Sequence, residues 1–536
     1  MSNHDARLSR RTLLAGAAAI GLAGCSNEGR GGETGGGGTA AGVRPTYQRY
    51  TEVKADLPGA EYNIPNAFTR YPANPVQAIQ TPPGDGKPID VLTYTNTPIP
   101  PRLEQNSFWQ EFNKRVGSPV TVNLTPSVDY TQKFATVVAG DRLSDIFLVG
   151  AVPQVPQLLE AKAVDLTPHL SGDNIKKYPF LANLPETAWN PCIFGNRIFG
   201  VPIPRGAISS QTLYSRADIL AKQGLQGDIK NLDDFFELCK ALTDKRNNRF
   251  ALAGSPTQFV RNMFDIPNNW SENGKTLVSN LEHEAQEDVF EALRKLWSAG
   301  YIHPDGFSGQ NQDLKVRFGN GSSALVQDTF SAWPSYLQTA VDKEAKIAII
   351  GPPKHDGSGP GRIWLGAPAI GFAAISKKSE ARVETLLAYL NFLATPFGTQ
   401  EYLFRKYGQP GLHHQVVDGS PVLTKKGFSE VQLGLMYTAD APWTIFLPEK
   451  PGDAEAEFTA MKQNCPTAVA DPVAGMYSET NVRKGPQLTT DITQITNDII
   501  QGRKPVSAWA GAVKKWKSGG GDKIAEEFAQ ALHQSR

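Results

Sequence analysis

The residues in this chain best suited to recognition chemistry are its nine tryptophans. Trp109, Trp189, Trp270, Trp333, Trp364 and Trp443 stand near Pro, Asn, Ser or Gly, in settings that read as loops or element ends. An indole face is a flat apolar platform for the C–H face of a pyranose, and neighbouring Asn, Asp, Arg and Gln can hydrogen-bond its hydroxyls. Any one of these indoles serves equally well as core or interface packing. Together they favour a groove for a sugar.

Other chemistry lacks its signatures. The chain has no GxxxxGK[ST], GxSxG, HExxH or GxGxxG, so any ATP turnover belongs to a partner and no cofactor is called for. His413 and His414 are adjacent, and adjacent residues rarely point to one site in regular structure, so no metal is expected there. The run from Asp244 to Arg249 offers closely spaced oxygens like a calcium loop. It lacks the glycine turn and the closing bidentate Glu, and Lys245, Arg246 and Arg249 add positive charge, so a polar turn is expected.

Composition narrows the classes further. With 54 Lys+Arg against 53 Asp+Glu, the net charge of +1 supplies no field for nucleic acid or an acidic membrane. The length of 536 residues allows two or three domains' worth of core. The four cysteines include no Cys-x-x-Cys pair, which argues against zinc or redox use. Cys239 falls on a helical apolar stripe and reads as a core thiol; Cys192, Cys239 and Cys465 can form at most one disulfide.

The N-terminus reads as an address. Residues 7–25, RLSRRTLLAGAAAIGLAGC, combine a basic stretch, a short apolar run and small residues before Cys25. Ser9–Leu14 resembles a twin-arginine export signal, and Leu22-Ala23-Gly24-Cys25 resembles a bacterial lipobox. On this reading residues 1–24 are a signal peptide and Cys25 carries lipid; two acyl chains at roughly 0.8 kcal/mol per buried CH₂ hold a domain where one does not. Residues 25–45 have linker composition, and residues 46–85, rich in Pro, Tyr and Asn, read as an extended segment wrapping the first domain.

From residue 88 onward the pattern is α/β. Short apolar runs at Asp90–Thr95, Val120–Leu124 and Asp145–Val149 read as strands, with helices over Ser107–Arg115 and Tyr130–Ala139 between them. Asn231 caps a helix burying Leu232, Phe235, Phe236, Cys239 and Leu242. A later helix, from near Ser379, buries Val383, Leu386, Leu387, Leu390 and Leu393 and stops at Pro396. Alternation of this kind implies a mainly parallel sheet. Tyr94 and Asn96 follow the first strand, where open α/β sheets bind ligands.

Several blocks, in this order, resemble the extracellular solute-binding protein family 1, in its long oligosaccharide-binding lipoprotein branch. They are Val138–Ile146, Phe199–Pro202 followed by Leu213–Asp218, Pro267–Trp270, Phe318–Ala324, Gly408–His414 and Ile499–Trp509. The resemblance spans about residues 88–536. It departs at the degraded loop after Asp244, where some relatives hold calcium.

The resemblance implies a two-lobed, periplasmic-binding-protein-like fold of type II with ligand in the cleft. Lobe 1 is then expected over residues 86–205 and 328–376, and lobe 2 over 206–327 and 377–536. On this layout Trp333 follows a crossing segment and resembles the family's cleft-floor aromatic. Asp328 and Arg205 sit beside crossings as polar contacts, with Trp270, Asn269, Trp364 and Trp443 as further candidates. The implied protein is a monomeric receptor for a carbohydrate, without enzymatic activity, anchored through Cys25 on the outer face of the membrane and docking on ABC importer permease subunits. Two rivals stay open: a secreted glycosidase, which needs a cleft carboxylate pair, and a surface lectin that binds without closing.

Overall fold

The run Ile89–Thr95 is buried at nearly every position, as a strand covered on both faces must be. In the computed structural model, which describes residues 42–59, 64–307 and 311–535, it is the first strand of a mixed sheet. The signal segment and Cys25 lie outside the described residues.

The strands of the two main sheets are, in chain order, β1 (Ile89–Thr95), β2 (Val120–Pro126), β3 (Ile146–Leu148), β4 (Val201–Pro204), β5 (Gln211–Arg216), β6 (Phe250–Leu252), β7 (Ser323–Thr329), β8 (Ile347–Ile350) and β9 (Ala369–Ile375). The first sheet has the order β2-β1-β3-β9-β4 and the second β8-β5-β7-β6. In the first, β1 pairs in parallel with β2 and β3, while β9 runs antiparallel to β3 and β4. In the second only β6 and β7 are parallel.

Helices supply the parallel crossovers. Ser107–Val116 follows β1; the Asn106 side chain accepts the Trp109 N–H at 2.9 Å, and Gly117, at φ 74°, closes the helix. Its buried stripe is Phe108, Phe112 and Val116. Leu232–Leu242 begins at Asn231, whose side chain accepts the Asp234 N–H at 2.8 Å, and buries Phe235, Phe236, Cys239 and Leu242. Val383–Leu393 buries Val383, Leu386, Leu387, Leu390 and Leu393 as the spacing predicts.

Two segments sit elsewhere than the sequence layout puts them. β8 joins the second sheet, Ile349 opposite Tyr214, although residues 328–376 were expected in the first lobe. Helix Val383–Leu393 packs in the core of the first sheet, although residues 377–536 were expected in the second lobe. Apolar periodicity specifies that a face is buried but not against which sheet. The chain passes between the sheets from β4 to β5 and again from β8 to β9. These two crossings touch where Gly366 meets Ser209: a Cβ on Gly366 would stand 2.3 Å from the Ser209 carbonyl oxygen.

The N-terminal segment lies along the body in extended form. Thr46 and Gln48 donate backbone N–H bonds to Gly172 and Ala182, and Glu401 accepts the N–H groups of Ala78 and Ile79. Ala67–Phe68 pairs in parallel with Ile445–Phe446. Cys192, Cys239 and Cys465 are buried free thiols in three separate hydrophobic clusters. Among the described residues no helix is long and apolar enough to cross a membrane.

One buried acid has a measurable consequence. Glu457, on helix Pro451–Asn464, is 2% exposed, and burial, aided by Asp453, pushes its carboxyl up to about 8. The folded protein therefore holds a proton that the unfolded chain releases, and this group costs stability as pH rises from about 4.5 to about 8. Glu457→Gln is expected to unfold at a higher temperature than the parent near pH 8 and at a similar one near pH 4.5. Thermal scans across that range showing parallel curves for the two proteins would contradict it.

Candidate functional site

The crossing from β4 to β5 is flanked by two cavities. The first, about 230 Å³, is lined by Arg205 and Gly206 of the crossing, by Trp443, and by Tyr47, Arg49 and Tyr50 of the N-terminal segment. The second, about 290 Å³, is lined by Ser209 and Gln211, by Thr257, Gln258, Arg261 and Asn262 of helix Thr257–Met263, and by Asn268, Gln327, Trp364 and Gly366. Both lie at strand ends, where open α/β sheets place ligands. Among the described residues no carboxylate lines either one.

The second cavity is built from amides held in place by one another. Gln327, at the end of β7, accepts the Phe259 N–H at 2.9 Å and so satisfies a first-turn donor of helix Thr257–Met263. Its amide nitrogen reaches Gln211 at 3.4 Å, and Gln258 donates to Asn262 at 2.9 Å. Asn268 donates to the Leu365 carbonyl at 3.0 Å. Three buried polar atoms on lining residues have no hydrogen-bond partner: Arg261 Nε, Asn268 Oδ1 and Trp364 Nε1. Buried donors and acceptors left this way are costly, and a polyhydroxylated ligand is one means of satisfying them.

On the first-sheet side, aromatic groups gather at the end of β1. Tyr94 packs against Tyr437 with ring centroids 4.5 Å apart, and Asn96 donates to the Tyr437 hydroxyl at 3.0 Å. Burial, then Tyr437, raises the Tyr94 pKa, while Arg205 opposes the rise. The Arg205 guanidinium lies 5.6 Å from the Trp443 ring centroid, in cation–π range. Thus Arg205, Trp443, Tyr94 and Asn96 fall in one neighbourhood, and Trp364 in the adjoining cavity.

Four other expected site residues are engaged away from the cavities. Trp333 is fully buried, edge-on to Tyr214 at 5.8 Å, with its indole N–H directed to Asp453 at 3.4 Å. It follows no crossing, because the chain after β7 stays with the second sheet; this corrects its placement on a cleft floor. Asp328 accepts the Tyr336 hydroxyl at 2.9 Å and the Thr329 N–H at 2.7 Å. Trp270 is buried against Phe528 and Trp516, at 5.9 and 6.1 Å. Asn269 is exposed and donates to Asp471 at 2.9 Å. None of the four lines either cavity.

The residues that sequence reading missed stand next to those it chose. Gln327 precedes Asp328 in β7, and successive strand side chains point to opposite faces, so the choice of Asp328 took the wrong face. Asn268 likewise precedes Asn269 and Trp270. Arg261 and Gln258 carry no motif, and only their helix, which starts just after β6, marks them.

The histidine pair is structural. His413 is fully buried within 3.2 Å of the Glu430 carboxylate, and His414 lies 3.0 Å from the Tyr407 carbonyl. The Asp244 loop is an exposed turn in which Asp244 and Arg249 form a backbone bridge. Among the described residues no group of three or more His, Cys, Asp or Glu is arranged to hold a metal ion.

Comparison with known proteins places this arrangement. A family profile described as bacterial extracellular solute-binding protein matches residues 108–427. The chain is 23% identical to the polygalacturonan/rhamnogalacturonan-binding protein YtcQ of Bacillus subtilis (strain 168) over 427 residues, 74% of this chain and 84% of that protein. It is 22% identical over 454 residues to lipoprotein LipO of the same organism, 79% of this chain and 88% of that one. The fold matches the crystal structure of an N-glycan transport solute-binding protein from Streptococcus pneumoniae with a TM-score of 0.60 at 16% identity, covering 84% of this chain and 99% of that chain. With the family profile spanning more than half of its length, the chain belongs to the bacterial extracellular solute-binding proteins.

Proposed function

We propose that this protein is the receptor of an ABC importer, that it captures an oligosaccharide between its lobes and that it performs no chemistry on it. The observation that carries the reading is the cavity beside the crossing, where Gln211, Gln258, Asn262, Asn268 and Gln327 surround an indole whose N–H is unsatisfied. Amides and an indole are the groups that read ring hydroxyls and ring faces. The relative named for polygalacturonan and rhamnogalacturonan binding, and the fold match named for N-glycan transport, agree with a carbohydrate ligand. Glycoside hydrolysis uses a carboxylate pair, and among the described residues neither cavity lining contains one.

In this reading the lobes are the bodies around the two sheets: residues 89–204 with 369–439, and residues 211–350 with 451–535. Ligand touching both favours the closed state, which the permease recognises. Closing a nearly open receptor takes about 5.5 kcal/mol of differential binding, within the roughly 8 kcal/mol of a micromolar ligand. The lipobox resemblance at Cys25 and the twin-arginine resemblance supply the anchor and the export route. Titration calorimetry against neutral and acidic oligosaccharides, with scattering on any binder, tests the proposal. Binding with a reduced radius of gyration and an intact ligand is expected; binding without contraction, or with cleavage products, would replace it with a lectin or a hydrolase.

A further inference from the structure

Among the described residues the guanidinium of Arg261 has no counter-charge. Its side chain is half-buried at the cavity wall and its Nε is buried without a partner. Burial lowers its pKa to about 10, and no other group contributes to that shift. The carboxylate one turn on, Asp265, faces Lys354 at 3.6 Å and Arg362 at 3.8 Å. The remaining lining groups are neutral amides, hydroxyls, an indole and a glycine.

An arginine desolvated for structural reasons normally has a carboxylate beside it, as Arg216 has in Asp218 at 2.8 Å, within the same lobe. Arg261 has its cavity instead. A guanidinium is a planar fork of donors whose geometry matches a carboxylate in two parallel bonds. The surrounding amides supply donors and acceptors for hydroxyls, and Trp364 supplies the indole at the same wall.

We infer that the cavity beside the crossing takes an acidic sugar unit, a uronate, whose carboxylate pairs with Arg261. The inference rests on the carbohydrate reading above and narrows its substrate class. The pair forms only with ligand present, so it contributes to affinity and selects against neutral chains of the same length.

The test is calorimetric, with short oligomers of galacturonate, glucuronate and mannuronate, each against its fully methyl-esterified form. The ester keeps the ring and hydroxyls and removes the charge. At least one acid is expected to bind about tenfold or more tighter than its ester. In Arg261→Gln that ratio is expected to fall toward unity, with Arg261→Lys in between because it keeps the charge and loses the fork. Thermal unfolding controls for folding, and removing an unpaired cation should leave the midpoint level or raise it.

Equal or tighter binding of every ester by the parent protein would overturn the inference. So would an acid preference that survives Arg261→Gln, or binding confined to neutral oligosaccharides; in each case the carbohydrate reading stands. Failure to bind any saccharide, acidic or neutral, would remove both.

Discussion

Trp364→Ala is expected to weaken binding of the oligosaccharide by at least about tenfold, the loss of an aromatic platform of roughly 1.5–3 kcal/mol. The indole is 7% exposed, lines the cavity beside the crossing and has a buried N–H without an acceptor. Truncation also leaves a void, and large-to-small core changes at Trp cost about 3–5 kcal/mol of stability. Trp364→Phe separates the two effects, keeping most of the bulk and removing the donor. It is expected to stay folded and to bind less tightly than the parent, with the alanine variant weaker still. Calorimetry below each variant's unfolding midpoint decides the matter, and parent-like affinity in both variants would move the ligand out of this cavity.

Glu430→Ala is expected to lower unfolding stability by about 3 kcal/mol or more, read from denaturant titration. The carboxylate is buried and accepts the Ser107 N–H at 2.8 Å, the Ser107 hydroxyl at 2.7 Å and the Phe108 N–H at 3.3 Å. It thus satisfies the first turn of helix Ser107–Val116 from another part of the chain. Lys426 at 2.5 Å and His413 at 3.2 Å complete the group. Burial alone would raise its pKa, but these donors outweigh burial and hold it at about 2. Because the folded value lies below the ordinary 4.5, the stabilisation is full above about 4.5 and is lost as pH falls toward about 2. The alanine variant should lose that part of the acid dependence along with the stability. A variant as stable as the parent at pH 7 would show that the helix end does not depend on Glu430.

The elements were largely legible in the sequence because their signals are local. The sequence marks a helix over Ser107–Arg115, one residue short of its observed end at Val116, and Asn231 marks the start of Leu232–Leu242 directly. The assignment of elements to sheets was less legible: β8 and helix Val383–Leu393 carry apolar patterns that either body could have buried.

The site divided in the same way. Tyr94, Asn96 and Arg205 were candidates because strand ends and crossings are positions that topology itself defines, and the structure places them near one another. Trp364 and Trp443, candidates as aromatics near turn residues, line the two cavities. Trp333, of the same residue type, went into the core, because composition does not say which indole a tertiary contact will cover. Arg261 was invisible, since its distinguishing property is a buried Nε without a partner among the described residues, and that exists only once the chain is folded.

The meeting of Gly366 with Ser209 bears on mechanics. The two main chains approach closely there and are tied by the Ser209 hydroxyl, which donates to the Ala367 carbonyl at 2.9 Å, and by the Gly366 N–H, which donates to the Ser210 hydroxyl at 3.2 Å; such a joint resists sliding, but each chain can still twist at its neighbouring dihedrals. In the closure proposed above, such a joint favours rotation over translation. Gly366→Ala would push the two crossings apart, so a lower unfolding midpoint than the parent's is the expected result.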